Sequence, residues 1–191
     1  MTSKIKVNIL ADGGDNSIIT SDGAGSFTAS SSLASSVQSV GGIQMTPAFH
    51  AYLSSVQNIS AATSVKVQID TEVFDSDNCY DNTTNYRFTP TVAGKYFVYG
   101  TITIDASSNS SLEHAYAFLY KNGARISQTE STFSNNNIRR ISQHTYQVVD
   151  MNGTTDYIEL FGRQDGGASP AFEGGATNKD SIFGAYKIIG A

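Results

Sequence analysis

FDSDNCYDNTTNYRFTPTVAGKYFVY, residues 74–99, joins two kinds of local structure. Asp75, Asp77, Asn78, Asp81, Asn82 and Asn85 crowd its first half. Asx side chains bond nearby backbone groups and tolerate left-handed dihedrals, so this half reads as a loop. Residues 86–89 then form a short strand, closed by Pro90, which has no ladder donor. Gly94 permits a tight turn. After it, residues 95–104 (KYFVYGTITI) make the most β-prone run in the chain. A short strand and a long aromatic one meeting at a Pro/Gly corner predict a β-sandwich core strand with its feeder.

Outward from that corner, strand-like runs recur with turn signals between them. They cover residues 48–53, 64–69, 86–89, 96–104, 115–120, 139–149, 157–162 and 181–189, a spacing that fits a two-sheet jelly roll. Asn122-Gly123 is a hairpin turn that folds 115–120 back on Arg125-Ile126, and Gly153 serves the turn before 157. The glycine-rich segment 166–175 lacks the GK[ST] sequel of a phosphate cradle and reads as an exposed loop. Composition agrees. The 191 residues are 39% apolar and only 15% charged, with ten Tyr, ten Phe and no Trp, enough for one good all-β core.

Several of these residues resemble the C1q-like globular head of the wider tumour-necrosis-factor-like jelly-roll superfamily. They are Phe88-Thr89-Pro90, Gly94-x-Tyr96 with Phe97, Pro47-Ala48-Phe49-His50-Ala51, Val73-Phe74-Asp75, and the closing run 181–189, which is similar to that family's S-x-F-x-G strand. The likeness spans about residues 45 to 191. Val98 and Gly100 depart from it, standing where aromatics are usual, and Gly184 lies one place early. The resemblance implies a C1q/TNF-like jelly-roll sandwich that forms a homotrimer with tyrosines along its threefold axis.

Alternation along the long strand puts Tyr96, Val98 and Gly100 on one face and Phe97, Tyr99 and Thr101 on the other. One face is expected inside the sandwich and the other against a neighbour. Tyr116, Phe118 and Tyr120 share a face, as do Tyr157 and Phe161 with Glu159 between them. The trimer interface is expected at Tyr96, Val98, Tyr116, Phe118 and Tyr157, with ordinary core packing as the competing account of these rings.

Residues 1–44 differ from the rest. Residues 4–9 alternate polar and apolar like a short strand, Gly13 to Asn16 make a turn, and Asp22-Gly23 joins 17–21 to 24–28 as a small hairpin. The Ser-rich run 29–42 reads as a linker, with Leu33, Val37 and Val40 alternatively forming one weak amphipathic stripe. Such an arm is too small to fold alone, so sister arms or a larger assembly must order it. Its wording, Lys-Ile-Lys-Val and then I-T-S-D-G-x-G, resembles the leaders of bacteriophage fibre and virion-decoration proteins. Ile5, Val7, Ile18, Ile19 and Phe27 are the expected docking residues.

Chemistry-bearing residues do not form a constellation in the sequence. His50, His114 and His144 stand apart, without HxH or HExxH spacing. Cys79 is the single cysteine, so no intrachain disulfide is expected, and no base lies beside it to make a nucleophile. Asp75-x-Asp77 with Asp81 invites a calcium site, but Cys79, Tyr80 and Tyr86 break the EF-hand pattern, and a solvated loop is expected. Glu72, Glu113, Glu130, Glu159 and Glu173 are scattered. A net charge of −5, with Arg139-Arg140 as the one basic pair and read as solvated, argues against a nucleic-acid partner.

The sequence therefore predicts no catalysis, metal or cofactor. It predicts no membrane insertion, since no run approaches spanning length. The opening residues carry no apolar stretch like a signal peptide, so synthesis and folding in the host cytoplasm and residence in a virion are expected. The expected function is that of a phage structural protein: a trimeric short head or tail fibre or a capsid decoration. Its head would adhere to the host surface, with a glycan as candidate receptor, or reinforce the shell. The alternative is a free C1q-like module binding carbohydrate or protein. A carbohydrate-active enzyme on a jelly roll is the third.

Overall fold

The computed structural model describes residues 9–11, 13–14, 16–21, 23–24, 27–29, 45–135, 138–167 and 169–188. The chain divides into two compact units, Met1–Gln44 and Met45–Ile189. In the first, β1 (Ile9–Ala11), β2 (Ser17–Ser21) and β3 (Phe27–Ala29) form an antiparallel sheet with β2 in the middle. Ser21 pairs with Phe27, so the connection is longer than the two-residue Asp22-Gly23 turn the sequence predicts. In β1 and β2 no residue is fully buried: Ile18 and Ile19 are half-buried, and Ile9 and Leu10 are exposed. The expected strand over 4–9 and the Ser-rich linker over 29–42 lie outside the described residues, except that Ile9 opens β1 and Ala29 ends β3.

The second unit is a sandwich of antiparallel strands. In order they are β4 (Ala48–Tyr52), β5 (Gln57–Asn58), β6 (Val65–Lys66), β7 (Thr71–Asp75), β8 (Tyr80–Asp81), β9 (Arg87–Phe88), β10 (Gly94–Asp105), β11 (His114–Lys121), β12 (Ala124–Thr132), β13 (Arg140–Met151), β14 (Ile158–Asp165), β15 (Ala171–Phe172) and β16 (Ile182–Lys187). The first sheet runs β7-β4-β16-β10-β13, with β15 and β5 continuing beside the far end of β10. The second runs β12-β11-β14-β9-β8, with β6 also on β14. This is the predicted all-β jelly roll. The hairpin at Asn122-Gly123 forms with both residues at positive φ, the backbone that a two-residue primed turn requires. Its second strand, β12, extends well past Ile126 to Thr132. Residues 64–69, expected as one strand, pair only over Val65–Lys66.

β10 organises the head because it satisfies ladder groups on both edges. It pairs with β13 over its whole length and with β16 and β15 on the other side. Its Tyr96, Val98, Ile102 and Ile104 are wholly buried between the sheets. The core is built on ring contacts. Phe49 stacks on Tyr80 at 4.4 Å and on Phe88 at 4.8 Å, and meets Phe183 edge-on at 5.1 Å. Tyr80 and Tyr96 enter this apolar interior because their hydroxyls donate to the carbonyls of Ile69 and Val92.

Gly100 faces inward where the resemblance expected an aromatic, and the reason is packing. A Cβ there would stand 2.5 Å from Leu160 Cδ1, so the strand yields its own side chain to one from the opposite sheet. Two changes test this core by urea denaturation. Phe49→Ala should cost about 3–5 kcal/mol. Gly100→Val should destabilise by about 1–3 kcal/mol through overpacking against Leu160.

Candidate functional site, an aromatic sheet face

The side of the first sheet turned away from the core is unusually aromatic. Across the sheet, register aligns Phe74 of β7, His50 of β4, Gly184 of β16, Tyr99 of β10 and Tyr146 of β13. The next row holds Tyr186, Phe97 and Val148. A row on the other side holds Tyr52, Ile182, Thr101 and His144. Ring planes lie close to parallel along a continuous line. The angles are 30° for His50–Phe74, 26° for His50–Tyr99, 29° for Phe97–Tyr99 and 27° for Phe97–Tyr146.

Gly184 makes the line possible. A Cβ at Gly184 would fall 2.3 Å from Tyr99 Cζ, so the tyrosine ring lies across the β16 backbone. Its hydroxyl then shares a 3.0 Å hydrogen bond with His50 Nδ1, one strand further on. The early position of this glycine, a departure from the resembled pattern, thus has a structural role. Burial pushes the Tyr99 hydroxyl up, and Tyr186 adds to the shift. Burial also lowers the pKa of His50, with Lys179 acting in the same direction.

This face is open at both lateral edges. Tyr146 is 66% exposed, Val148 49% and Phe74 50%. No strand of the second sheet carries an exposed large hydrophobic among the described residues. The outer side of that sheet is aromatic too, but four of its rings lie under its own cations. Arg163 sits over Tyr116, Arg125 over Phe118, Lys66 over Phe161 and Arg87 over Tyr157, at 4.6 to 5.9 Å. On the first sheet the corresponding contact is Lys179 over Tyr52, at the margin of the patch.

The residues expected at a trimer interface are therefore divided by the fold. Tyr96 and Val98 are 0% exposed within a single chain, so they are core and unavailable to a neighbour. The face of β10 turned outward is the other one, with Phe97 and Tyr99. Tyr116, Phe118 and Tyr157 stand on the second sheet, Phe118 2% exposed beneath Arg125 and its neighbouring rings. Tyr146, Val148 and Phe74 are not singled out by the sequence as interface, whereas His50 reads there as a packed or interfacial histidine. Even-numbered alternation on β13 was the available signal: Ser142, His144, Tyr146, Val148 and Asp150 are exposed while Gln143, Thr145, Val149 and Met151 are buried. Of the expected docking residues, Ile18 and Ile19 are half-buried in β2 and Phe27 opens β3. Ile5 and Val7 lie outside the described residues.

The acidic loop satisfies its carboxylates internally. Asp81 accepts from the backbone N–H groups of Thr83, Thr84 and Asn85 and from the Asn85 amide. The Thr84 N–H contributes most to holding its pKa below the usual carboxylate range. Asp75 accepts from the N–H groups of Asp77 and Tyr80. Among the described residues, no group of three or more His, Cys, Asp or Glu could hold a metal ion. Cys79 is 6% exposed, and burial pushes its thiol up.

The Arg139-Arg140 pair, read from sequence as solvated, is exposed and also clamps one buried carboxylate. Asp105 is 2% exposed and accepts from Arg139 Nε at 3.0 Å and Arg140 Nη2 at 2.8 Å. Arg140 also bridges to Glu173 at 3.1 Å. Burial would raise the Asp105 pKa, but the bonds from the two arginines and the Ser107 N–H overcome it and hold it at about 2. A depressed carboxylate stabilises the fold above its unfolded pKa. This contribution is complete above about pH 4 and is lost as pH falls towards 2. Asp105→Asn should cost about 2 kcal/mol at neutral pH. The difference from the native chain should shrink across that window in acid-unfolding curves followed by circular dichroism.

No family model and no curated protein matches the chain. Solved structures do match it. The globular domain of zebrafish complement 1qA protein is 12% identical, over 74% of this chain and 96% of that one, with a TM-score of 0.50. Eiger TNF from S. frugiperda is 12% identical, over 75% and 93%, with a TM-score of 0.52. Murine APRIL, solved at pH 5.0, is 10% identical, over 74% and 98%, with a TM-score of 0.53. The second unit thus belongs to the antiparallel jelly-roll sandwiches, and within them its fold is the C1q/TNF-like one.

Proposed function

We propose that the head is a homotrimerising C1q/TNF-like module whose copies meet through the outer face of the first sheet. The carrying observation is the uncovered aromatic line from Phe74 to Tyr146, beside a second sheet four of whose rings are already capped by arginine and lysine. Large apolar side chains exposed in a contiguous patch mark association surfaces. Tyrosine suits such a place because it buries area while its hydroxyl keeps a polar partner. The number three comes from the resemblance carried by Phe88 to Tyr96.

The wider reading is that the chain is a structural protein of a bacteriophage virion, a short head or tail fibre or a capsid decoration. Its arm would dock on other virion proteins, and its head would face outward to adhere to a host-surface glycan or to reinforce the shell. Two features support this: the leader's wording, and an arm sheet in which Ile9 and Leu10 remain exposed. The second reading, a free C1q-like module binding carbohydrate or protein, is favoured by the solved structures the head resembles.

Mass photometry of the native chain should give a trimer at micromolar concentration. Tyr146→Glu combined with Val148→Glu should give a folded monomer; a trimer that survives both changes would rule out this face. Deleting residues 1–44 should leave the trimer intact and abolish incorporation into particles. A deletion variant still taken up by particles would favour the free module.

A further inference from the structure

We infer that His50 makes assembly through the aromatic face reversible by mild acid, an inference that rests on the trimer reading above. His50 lies within the patch rather than at its rim. It is half-buried, flanked by Phe74 on one side and Tyr99 on the other, with its Nδ1 held by the Tyr99 hydroxyl at 3.0 Å. A neutral imidazole suits this position: it can share that hydrogen bond while its ring continues the aromatic line. An imidazolium does not, because closing the face around it removes a charge from water, and does so once in each copy.

Among the described residues of one copy, the charge acting on His50 is Lys179, which does not offset that cost. The titratable neighbours are Tyr99 of β10 and Tyr186 of β16, Glu72 and Asp75 of β7, and Lys179 in the segment before β16. Asp75 is turned into its own loop, bonded to the N–H groups of Asp77 and Tyr80. Glu72 is solvent-exposed. Lys179 is the charge that acts on His50, and it opposes protonation as burial does. The sign follows. If association lowers the His50 pKa further, the neutral ring favours the associated state, and that advantage is lost as pH falls below the value in the free head, which burial and Lys179 already hold below 6.5. Each unit by which association lowers the His50 pKa weakens assembly by up to about tenfold per copy.

The test uses the full chain and its His50→Gln variant, which stays neutral and retains a side-chain partner for Tyr99. Trimer dissociation is followed by analytical ultracentrifugation over a concentration series at pH 7.5 and 5.0. The native chain should be trimeric at pH 7.5 and dissociate at least about tenfold more readily at pH 5.0. The variant should show little difference. Equal behaviour of the native chain at both pH values, or acid dissociation of the variant as steep as the native one, would overturn the inference and leave the trimer standing. A native chain already monomeric at pH 7.5 would instead overturn the trimer reading itself. If the variant fails to fold, NMR titration of the His50 ring decides. Its pKa should lie lower in the native trimer than in the Tyr146→Glu, Val148→Glu monomer, and equal values would overturn the inference.

Discussion

The head depends on β10 having its ladder groups met on both edges and its side chains used on both faces. β13 runs along the whole of one edge and β16 along much of the other, so a one-residue slip in either register would turn Tyr96, Val98, Ile102 and Ile104 out to solvent. Phe49 adds the second restraint. It sits on β4 two strands away and touches Tyr80, Phe88 and Phe183, which belong to β8, β9 and β16. One ring therefore ties together both sheets and fixes the polar loop that separates β7 from β9. Stacked and edge-on ring pairs add to the area they bury, so these contacts specify the alignment as well as favour collapse.

The corner at Pro90 to Gly94 was legible because each residue there acts through local chemistry: a missing donor, a free φ and a run of β-branched and aromatic side chains. Alternation along β10 was legible too, and the two faces were assigned to the right residues. Which face points inward was not, since Tyr96 and Val98 are no more apolar than Phe97 and Tyr99. The choice is made by residues far away in sequence. Leu160 needs the space that Gly100 leaves inside, and Tyr99 needs the gap at Gly184 outside. Both are contacts between strands, and a periodicity read along one strand contains neither. The same holds for Tyr116 and Phe118, whose covering cations come from β14 and β12. Short strands such as β5, β8 and β15 escaped because two residues have no period to detect.

Charged groups in the head are largely used to finish the fold. Asp81 and Asp75 replace missing backbone partners in a loop that would otherwise leave N–H groups unpaired. Asp105, at the end of β10, is buried only because two adjacent arginines reach it. Asx residues clustered in a loop and arginines adjacent in a strand look alike in sequence whether they hold a ligand or their own chain. Here their acceptors and donors are taken up internally.

What remains unspent is hydrophobic. The two sheets carry comparable numbers of rings on their outer sides, yet one side has recruited Arg87, Arg125, Arg163 and Lys66 as lids while the other has Lys179 over Tyr52 at its margin. A cation over a ring keeps its charge in water while screening the ring, which allows a sheet to be aromatic and solvated at once. Leaving Phe74, Tyr146 and Val148 without such cover has a cost in water that a monomer gains nothing from. The difference between the two faces is thus informative in a way that neither face is alone: the same fold contains the device for protecting exposed rings and gives it to Tyr52 but not to Phe74 or Tyr146. That contrast is the physical ground for proposing association through the first sheet rather than the second.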